Sequence, residues 1–541
     1  MRRIVLPLML LVAAVAAPAA SARVLLVGKY HGISGPFHSV QAAVDAARAG
    51  DTILVGPGDY KAQADHRRNR GAQPDEYPAG VTIAKRNITL RGMNRNSVVI
   101  DGTKPGTPRC SNLASAQDFG PSAGQGKGRL GRNGVFIWQA NNVAVENLTV
   151  CNFLNGPAGD NGNGVWWQGG HEAGGIGGHG FTGSYLSATN TFFNGDEKVA
   201  SQYGIFSSHW SGGIWEHDYA SNFNDSGYYI GACMQVCNQT MNHVQGEYNA
   251  LGYSGSNSGG RLLVEHSEFD LNKDGFDTNS QNGDNPAPQN GACPAGVSPP
   301  VPGAPTCWVF THNYVHDNNN PNVPYKGLAG AGPVGTGMSL SGARNDTIMN
   351  NRFVRNNAWG VIVVPFTDSG TPCSGGTLNS PLLGQGSCLF DDWGVHVLNN
   401  TFTDNGGYGN PTNGEFDQLN FELHPSDCYA GNRNTRGPLG LEATKLEATY
   451  PTCTNTDVPP NLNVPFLDEV LCDSGVQLAP FGCQPGDHYP QRTAVIMHAL
   501  RGQPTMPNPC AGVPANPWCS PRHPARRPSR NPGGSPPVGL G

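Results

Sequence analysis

The chain has 541 residues, a formal net charge of −6, 37% hydrophobic residues and only 14% charged ones. Gly at 74 and Pro at 44 are both enriched, which marks a turn-rich chain that still carries enough apolar residues to bury a core. Lys and Arg number 34 against 40 Asp and Glu, so no basic footprint for nucleic acid exists, and no apolar run of about twenty residues follows the N-terminus, which excludes a membrane-spanning body.

Arg2 and Arg3, the apolar stretch from Ile4 to Ala17 and the small residues Ala20-Ser21-Ala22 predict an export signal over residues 1–22. Cleavage near Ala22 would place the mature protein outside the cytoplasm, secreted or periplasmic. The 14 cysteines suit such a compartment. Neighbours in sequence suggest loop-closing pairs: Cys293 with Cys307, Cys373 with Cys388, Cys472 with Cys483, Cys510 with Cys519. No CxxC pair occurs, so zinc ribbons and thioredoxin-type redox motifs find no support.

After the leader, Ser39 is placed to cap a helix that carries Val40, Val44 and Ala47 on one face and stops at Gly50. The strand Thr52-Ile53-Leu54-Val55 and the turn Gly56-Pro57-Gly58 follow. Residues 81–101 read as a first full coil of three short strands. From there the chain repeats. Glycine-started strands begin at Gly134, Gly164, Gly204, Gly227, Gly252, Gly275, Gly337 and Gly360, four of the spacings being 23, 25, 23 and 23 residues. One position after each glycine stand Val135, Val165, Ile205, Tyr228, Tyr253, Phe276, Met338 and Val361, an apolar column that must face inward. The next column holds Phe136, Trp166, Phe206, Tyr229, Ser254, Asp277, Ser339 and Ile362, and its mixed chemistry marks the outward face of a strand. A third column aligns Asn147, His217, His243, His266, His312, Asn350 and Asn399 at a stacked turn. Residues shared by a repeat column are structural first, so these histidines are set aside.

A period near 23 with short strands and no 3.6-residue pattern predicts an all-β, parallel solenoid. On these columns and on the entry segment FHSVQAAVDAARAGDTILVGPGDY, the chain resembles the right-handed parallel β-helix proteins of the pectate-lyase-like superfamily over about residues 36–430. The expected architecture is a β-helix of about ten coils over residues 23–430, roughly 50 Å long at about 4.8 Å per coil, with an N-terminal capping helix. Residues 431–519 would form a disulfide-rich C-terminal cap whose helix is Gln491 to Leu500, and 520–541 a Pro/Gly/Arg tail without order.

The resemblance implies action on an extended polysaccharide lying along one outward sheet. Trp166, Phe206 and Tyr229, with Trp138 and Gln168 beside them, are the candidate sugar-binding face, since aromatic faces and amides suit pyranose rings; the competing reading is that loops cover them. Acids concentrate near Gly275: Asp277 and Asn279 point outward from one strand, with Lys273 and Asp274 in the turn before it. Such a set suits acid/base cleavage of a glycoside, or a base and a calcium site for β-elimination. Asn272-Lys273-Asp274-Gly275 is also similar to the N-T-D-G motif of polygalacturonases, with Lys in place of Thr, although the family's G-H-G is met only by Gly335-Thr336-Gly337. His209 and His424 fall outside the turn column and are the histidines best suited to proton transfer. The sequence thus points to a lyase, hydrolase or epimerase acting on a polysaccharide or cell-envelope glycan, with a non-catalytic glycan-binding or adhesive surface protein as the alternative. Among cofactors only calcium finds any support.

Overall fold

The computed structural model describes residues 22–62, 77–170, 175–233, 236–282, 289–369, 373–380, 384–421, 427–453, 461–474 and 480–519. The first 21 residues, the tail, His171, Glu172 and His424 lie outside them.

Three long parallel sheets of 12, 11 and 10 strands run the length of the molecule, and each coil gives one strand to each. One coil, for example, contributes Tyr203–Ser208, Gly213–Glu216 and Tyr219–Ser221. The protein is a right-handed parallel β-helix. The inward column read from sequence is in register throughout: Val135, Val165, Ile205, Tyr228, Tyr253, Phe276, Met338 and Val361 are successive partners. All are fully buried, and burying side chains of this size contributes about 1.5–3 kcal/mol each over leaving them in water.

The turn column has a backbone cause. Asn147, His217, His243, His266, His312, Asn350 and Asn399 all lie in the left-handed region, with φ between +50° and +58°, where Asn and His are among the residues best tolerated. Tyr185 (φ +52°) supplies the coil the sequence register skipped. The rings stack along the axis: Tyr185 on His217 at 4.7 Å, His217 on His243 at 5.1 Å, His243 on His266 at 5.3 Å and His266 on His312 at 5.5 Å. Nearby, asparagines form ladders inside the turns. Asn249, Asn272, Asn318, Asn356 and Asn405 each pass an amide hydrogen bond to the next at 3.0–3.3 Å.

The ends are closed by helices. Ser39 Oγ accepts from the Ala42 N–H, starting helix α1 (Val40–Ala46), whose Val40, Ala43 and Val44 are buried. The helix ends at Ala46 with Ala47 as its cap, before Gly50. At the far end, helix α2 (Leu441–Thr449) inserts Ala443 and Leu446 into the core, and its Glu447 accepts from Asn432, terminating a second asparagine ladder.

The rest of the C-terminal region departs from expectation. Helix α3 (Val464–Ser474) does not cap the solenoid; it lies on the outer face of the ten-stranded sheet against Trp359, Ile362, Val364 and Leu419. Residues 491–500 are not helical. The chain there runs as an extended strap back toward the N-terminal end. His498 stacks on Tyr248 at 3.7 Å, the Gln503 N–H donates to Asn96, Arg95 donates to the Pro504 carbonyl, and Trp518 Nε1 donates to the Ile33 carbonyl at 3.1 Å. An amphipathic helix would leave these carbonyls and amides unpaired with the coils, whereas an extended chain offers them at every residue.

Seven disulfides form. They include the four pairs expected from sequence, together with Cys110–Cys151, Cys233–Cys237 and Cys428–Cys453. Among the described residues no helix is long and apolar enough to cross a membrane. The disulfides fit an extracellular protein.

Candidate functional site

The outward column of the ten-stranded sheet divides in two. Over its N-terminal coils it is aromatic: Phe136, Trp166, Phe206 and Tyr229 are successive partners. Trp166 and Phe206 stack face to face at 4.8 Å. These rings are not an open platform. Tyr77 packs edge-on to Trp166 at 5.0 Å and Tyr203 lies 4.6 Å from Phe206, so Trp166 and Phe206 are only 4% and 8% exposed. The expected stacking face is therefore a covered apolar cluster; Tyr229 is its last member, 5% exposed, and also borders the cleft that follows. Gln168 is also buried there, its Oε1 accepting the Gly170 N–H.

At Ser254 the aromatic side chains stop and a cleft of about 480 Å³ opens. Its floor is the outward face of successive strands: Tyr229, Ser254 and Ser256, then Asp277 and Asn279, then Ser339 and Ser341. Asp277 and Asn279 lie directly against Ser339 and Ser341 in the parallel ladder. The segment around Lys326–Pro333 and the arm at Pro365–Thr367 form the two sides, and α3 stands at the end toward the C-terminal coils.

The position of α3 follows from its sequence and its anchors. Asn463 Oδ1 accepts the Phe466 N–H and so caps the first turn, where Pro465 is tolerated. Phe466 is fully buried and meets Trp359 edge-on at 5.4 Å. Glu469 accepts from the Thr412 hydroxyl at 2.7 Å, and Asp473 accepts the Val334 N–H at 2.7 Å.

Three carboxyl groups, Asp225, Asp274 and Asp277, face this cleft. Asp277 is the best solvated by protein donors: the Ser339 and Ser341 hydroxyls donate to its Oδ1 and the Asn279 amide to its Oδ2 at 2.8 Å. Burial raises its pKa, and the three donors oppose the rise. Asp274 is fully buried. Burial, reinforced by the charge of Asp277, lifts it well above the carboxylate range. The Ser339 side chain, which donates to Asp277, also faces Asp274. Asp225 is pushed up to about 7 by burial, against a hydrogen bond from Tyr203. Asp277 has three side-chain donors while Asp274, more deeply buried, accepts the Phe276 N–H at 3.3 Å, and this inequality separates their protonation states.

Other expected residues lie elsewhere. Lys273 is not part of the cleft lining. It is 3% exposed, donates to the Gly332 carbonyl and pairs with Asp473 at 3.6 Å, while burial pulls its pKa down against the pull of Asp473. Its work is to tie the Gly332 loop and α3 to the coil. Asn272, first residue of the motif that resembles N-T-D-G, is a ladder rung. His209, half-buried in a left-handed turn with φ +54°, is not among the cleft residues. Neither is any cluster able to hold an ion: among the described residues such groups are Asp101 with Cys110 and Cys151, Cys472 with Cys483 and Asp487, and Glu268 with Asp270 and His316. The first two contain disulfide sulfurs, and the third lies on the 11-stranded sheet.

Sequence reasoning missed Asp225, Tyr203, the serines opposite Asp277, and α3. Asp225 had a signal, an acid two residues before a glycine-started strand. The wall contributed by α3 had none.

No protein-family model matches the chain, and no curated protein matches it. Solved structures similar to it include the A-module of the mannuronan C-5 epimerase AlgE6 of Azotobacter vinelandii, at 15% identity and TM-score 0.41, covering 74% of this chain and 86% of that one. A family 28 exopolygalacturonase of Yersinia enterocolitica aligns at 12% identity and TM-score 0.41, covering 77% and 76%. A mannuronic acid specific family 6 polysaccharide lyase from the human gut microbiota aligns at 10% identity and TM-score 0.38, covering 76% and 80%. Their titles name three different reactions, and likeness at this level selects none of them.

Proposed function

We propose that this is an extracellular glycan-cleaving enzyme, a glycoside hydrolase whose acid/base pair is Asp274 and Asp277. The observation that carries the reading is the convergence of Asp225, Asp274 and Asp277 on one cleft. Asp274, whose ionised form is disfavoured by burial and by its neighbour, is the proton donor to the glycosidic oxygen as the C–O bond breaks. Asp277, whose ionised form is favoured by the Ser339, Ser341 and Asn279 donors, is the second carboxylate that activates water or stabilises the cationic sugar. The lyase and epimerase alternatives are less well served, because a cleft that draws a proton from an acidic sugar needs cationic stabilisation beside the base. Of the described lining residues only Lys326 is cationic, and it is exposed.

The cleft also bears on the mode of attack. The covered aromatic cluster closes the sheet face on one side and α3 on the other, which favours a chain end or short oligosaccharide over an internal stretch. A screen of polysaccharides and oligosaccharides for reducing sugar and for unsaturated products tests the reading. New reducing ends that disappear in Asp277→Asn support it. Unsaturated products, or glycan binding without any cleavage, would replace it with a lyase or a binding protein.

A further inference from the structure

The cleft is two-faced. Beyond Ser339 and Ser341 the lining turns mostly aliphatic: Ile362 and Val364 on the same sheet face, Leu419 in the next coil, and Leu467, Val470 and Leu471 from α3. Phe466 and Leu467 are the buried anchors of α3 against Trp359, Ile362, Val364 and Leu419, while Val470 and Leu471 pack on the same cluster with only part of their surface and remain half-exposed to the cleft. A bare pyranose is recognised by aromatic faces and hydrogen-bonding groups; Phe366 and Phe421 border this end of the cleft, but the aliphatic side chains between them offer a sugar neither. An alkyl chain gains from such a wall in proportion to the area it removes from water.

Charge narrows the other half of the ligand. Asp225, Asp274 and Asp277 face the same space, and the one lining cation, Lys326, stands exposed at the rim. A uronate, sulfate or phosphate group bound there would sit against carboxyls, and the buried cation beside Asp274, Lys273, lies outside the lining and is already held by the Gly332 carbonyl and Asp473; such a group is disfavoured in proportion to its desolvation.

We infer that the cleft takes a neutral sugar carrying an aliphatic chain, with the sugar at Asp274 and Asp277 and the chain along α3. The placement of the sugar rests on the hydrolase reading; the aliphatic half stands on its own lining. The same chemistry arises from an alkyl aglycone or from a fatty acyl ester on the sugar, and the two differ in which side of the glycosidic bond the chain occupies.

Calorimetric titration of the full-length protein with methyl and hexyl glycosides of glucose, galactose, mannose and N-acetylglucosamine, with their 6-O-hexanoyl methyl glycosides, and with methyl and hexyl glucuronides tests this. At least one hexyl or hexanoyl neutral sugar should bind about tenfold or more tightly than its methyl parent, the better arm identifying the source of the chain, and the matching glucuronide should bind more weakly. Val470→Ser and Leu471→Ser should each shrink the hexyl advantage, read as the ratio of hexyl to methyl affinity. Because a serine could loosen α3, the wild-type ratio alone decides the question. Equal affinity of hexyl and methyl forms, absence of binding across the panel, or preference for the glucuronide would overturn the inference. Hexyl preference without hydrolysis of any glycoside would leave it standing and remove the hydrolase reading instead.

Discussion

Lys273 Nζ lies 3.6 Å from the carboxylate of Asp473, joining the turn that precedes Asp274 to the last turn of α3. Both side chains are buried, at 4% and 9% exposure. Removing one partner of a buried pair leaves the other uncompensated, which costs about 3–5 kcal/mol. Lys273→Met should lower the denaturation midpoint accordingly, and because it frees the wall of the cleft rather than its acids, it should raise KM more than it lowers kcat. A loss confined to kcat, with unchanged stability, would return Lys273 to the chemistry.

Asp277→Asn should reduce turnover at least about a hundredfold, the usual scale for losing a general acid or base. Asp274→Asn should do the same and in addition abolish the alkaline limb of the pH–rate profile, since that limb reports loss of the donor's proton. The check is a profile of kcat/KM against pH for wild type and both variants. An alkaline limb that survives in Asp274→Asn assigns the proton to Asp225.

The covered aromatic cluster separates two effects that an open platform would merge. Trp166→Ala, at a side chain 4% exposed, should destabilise the protein by about 3–5 kcal/mol and leave KM for a cleaved substrate unchanged. Tyr229→Ala, at a side chain 5% exposed in the same cluster but bordering the cleft, should destabilise the protein and raise KM as well. Parallel thermal melts and KM values read both.

Stability should fall as pH rises from 6.5 to 8.5. Burial pushes Asp218 and Asp417 up to about 8 and Asp225 up to about 7. Each is raised above its unfolded value, so the folded state holds a proton that the unfolded chain has lost, and that contribution disappears as pH passes the folded pKa. His396, pushed down to about 4 by burial, acts at lower pH, where it erodes stability as pH falls below about 6.5. Lys273, pulled down by burial, opposes the alkaline trend as a single group. Three raised carboxyls outweigh the one histidine, so melting temperatures across pH 5–9 should fall as pH rises and level off near pH 8.5.

Trp518 is 5% exposed and packs on Leu26, Leu54 and Met93 of the first coils. Trp518→Ala should cost about 3–5 kcal/mol and make the strap a site of early proteolysis. Digestion under native conditions followed by mass spectrometry checks the second outcome.

How far the chain could be read depended on which face a residue presents. The inward column from Val135 to Val361 was legible because a strand buried against its neighbours tolerates only apolar residues at one position per coil. The histidine column was legible because every coil must turn with the same left-handed residue. The outward column did not reveal its own cover: Trp166 and Asp277 occupy equivalent positions, and nothing local to either says that Tyr77 and Tyr203 return over one while the other faces a cleft. Lys273 and Asp274 are adjacent in a motif, yet one anchors α3 and the other lines the cleft, a division set by a helix almost two hundred residues later. The strap was misread as a helix because its pairing partners are backbone groups of distant coils, which leave no pattern in its own side chains.

A stack of coils in which each touches only its neighbours behaves as a one-dimensional array, free to fray from either end. Here the final segment is laid across the coils and fastened beside the first one, with Arg95, Tyr248 and Ile33 as successive points of attachment. Such an array has no independent end coil: the strap that crosses it couples the coils it touches, and opening the first releases the strap from those between. Melting should accordingly be a single event that engages the whole spine at once, with hydrogen-exchange protection in the end coils comparable to that in the middle, instead of the graded protection of an open stack.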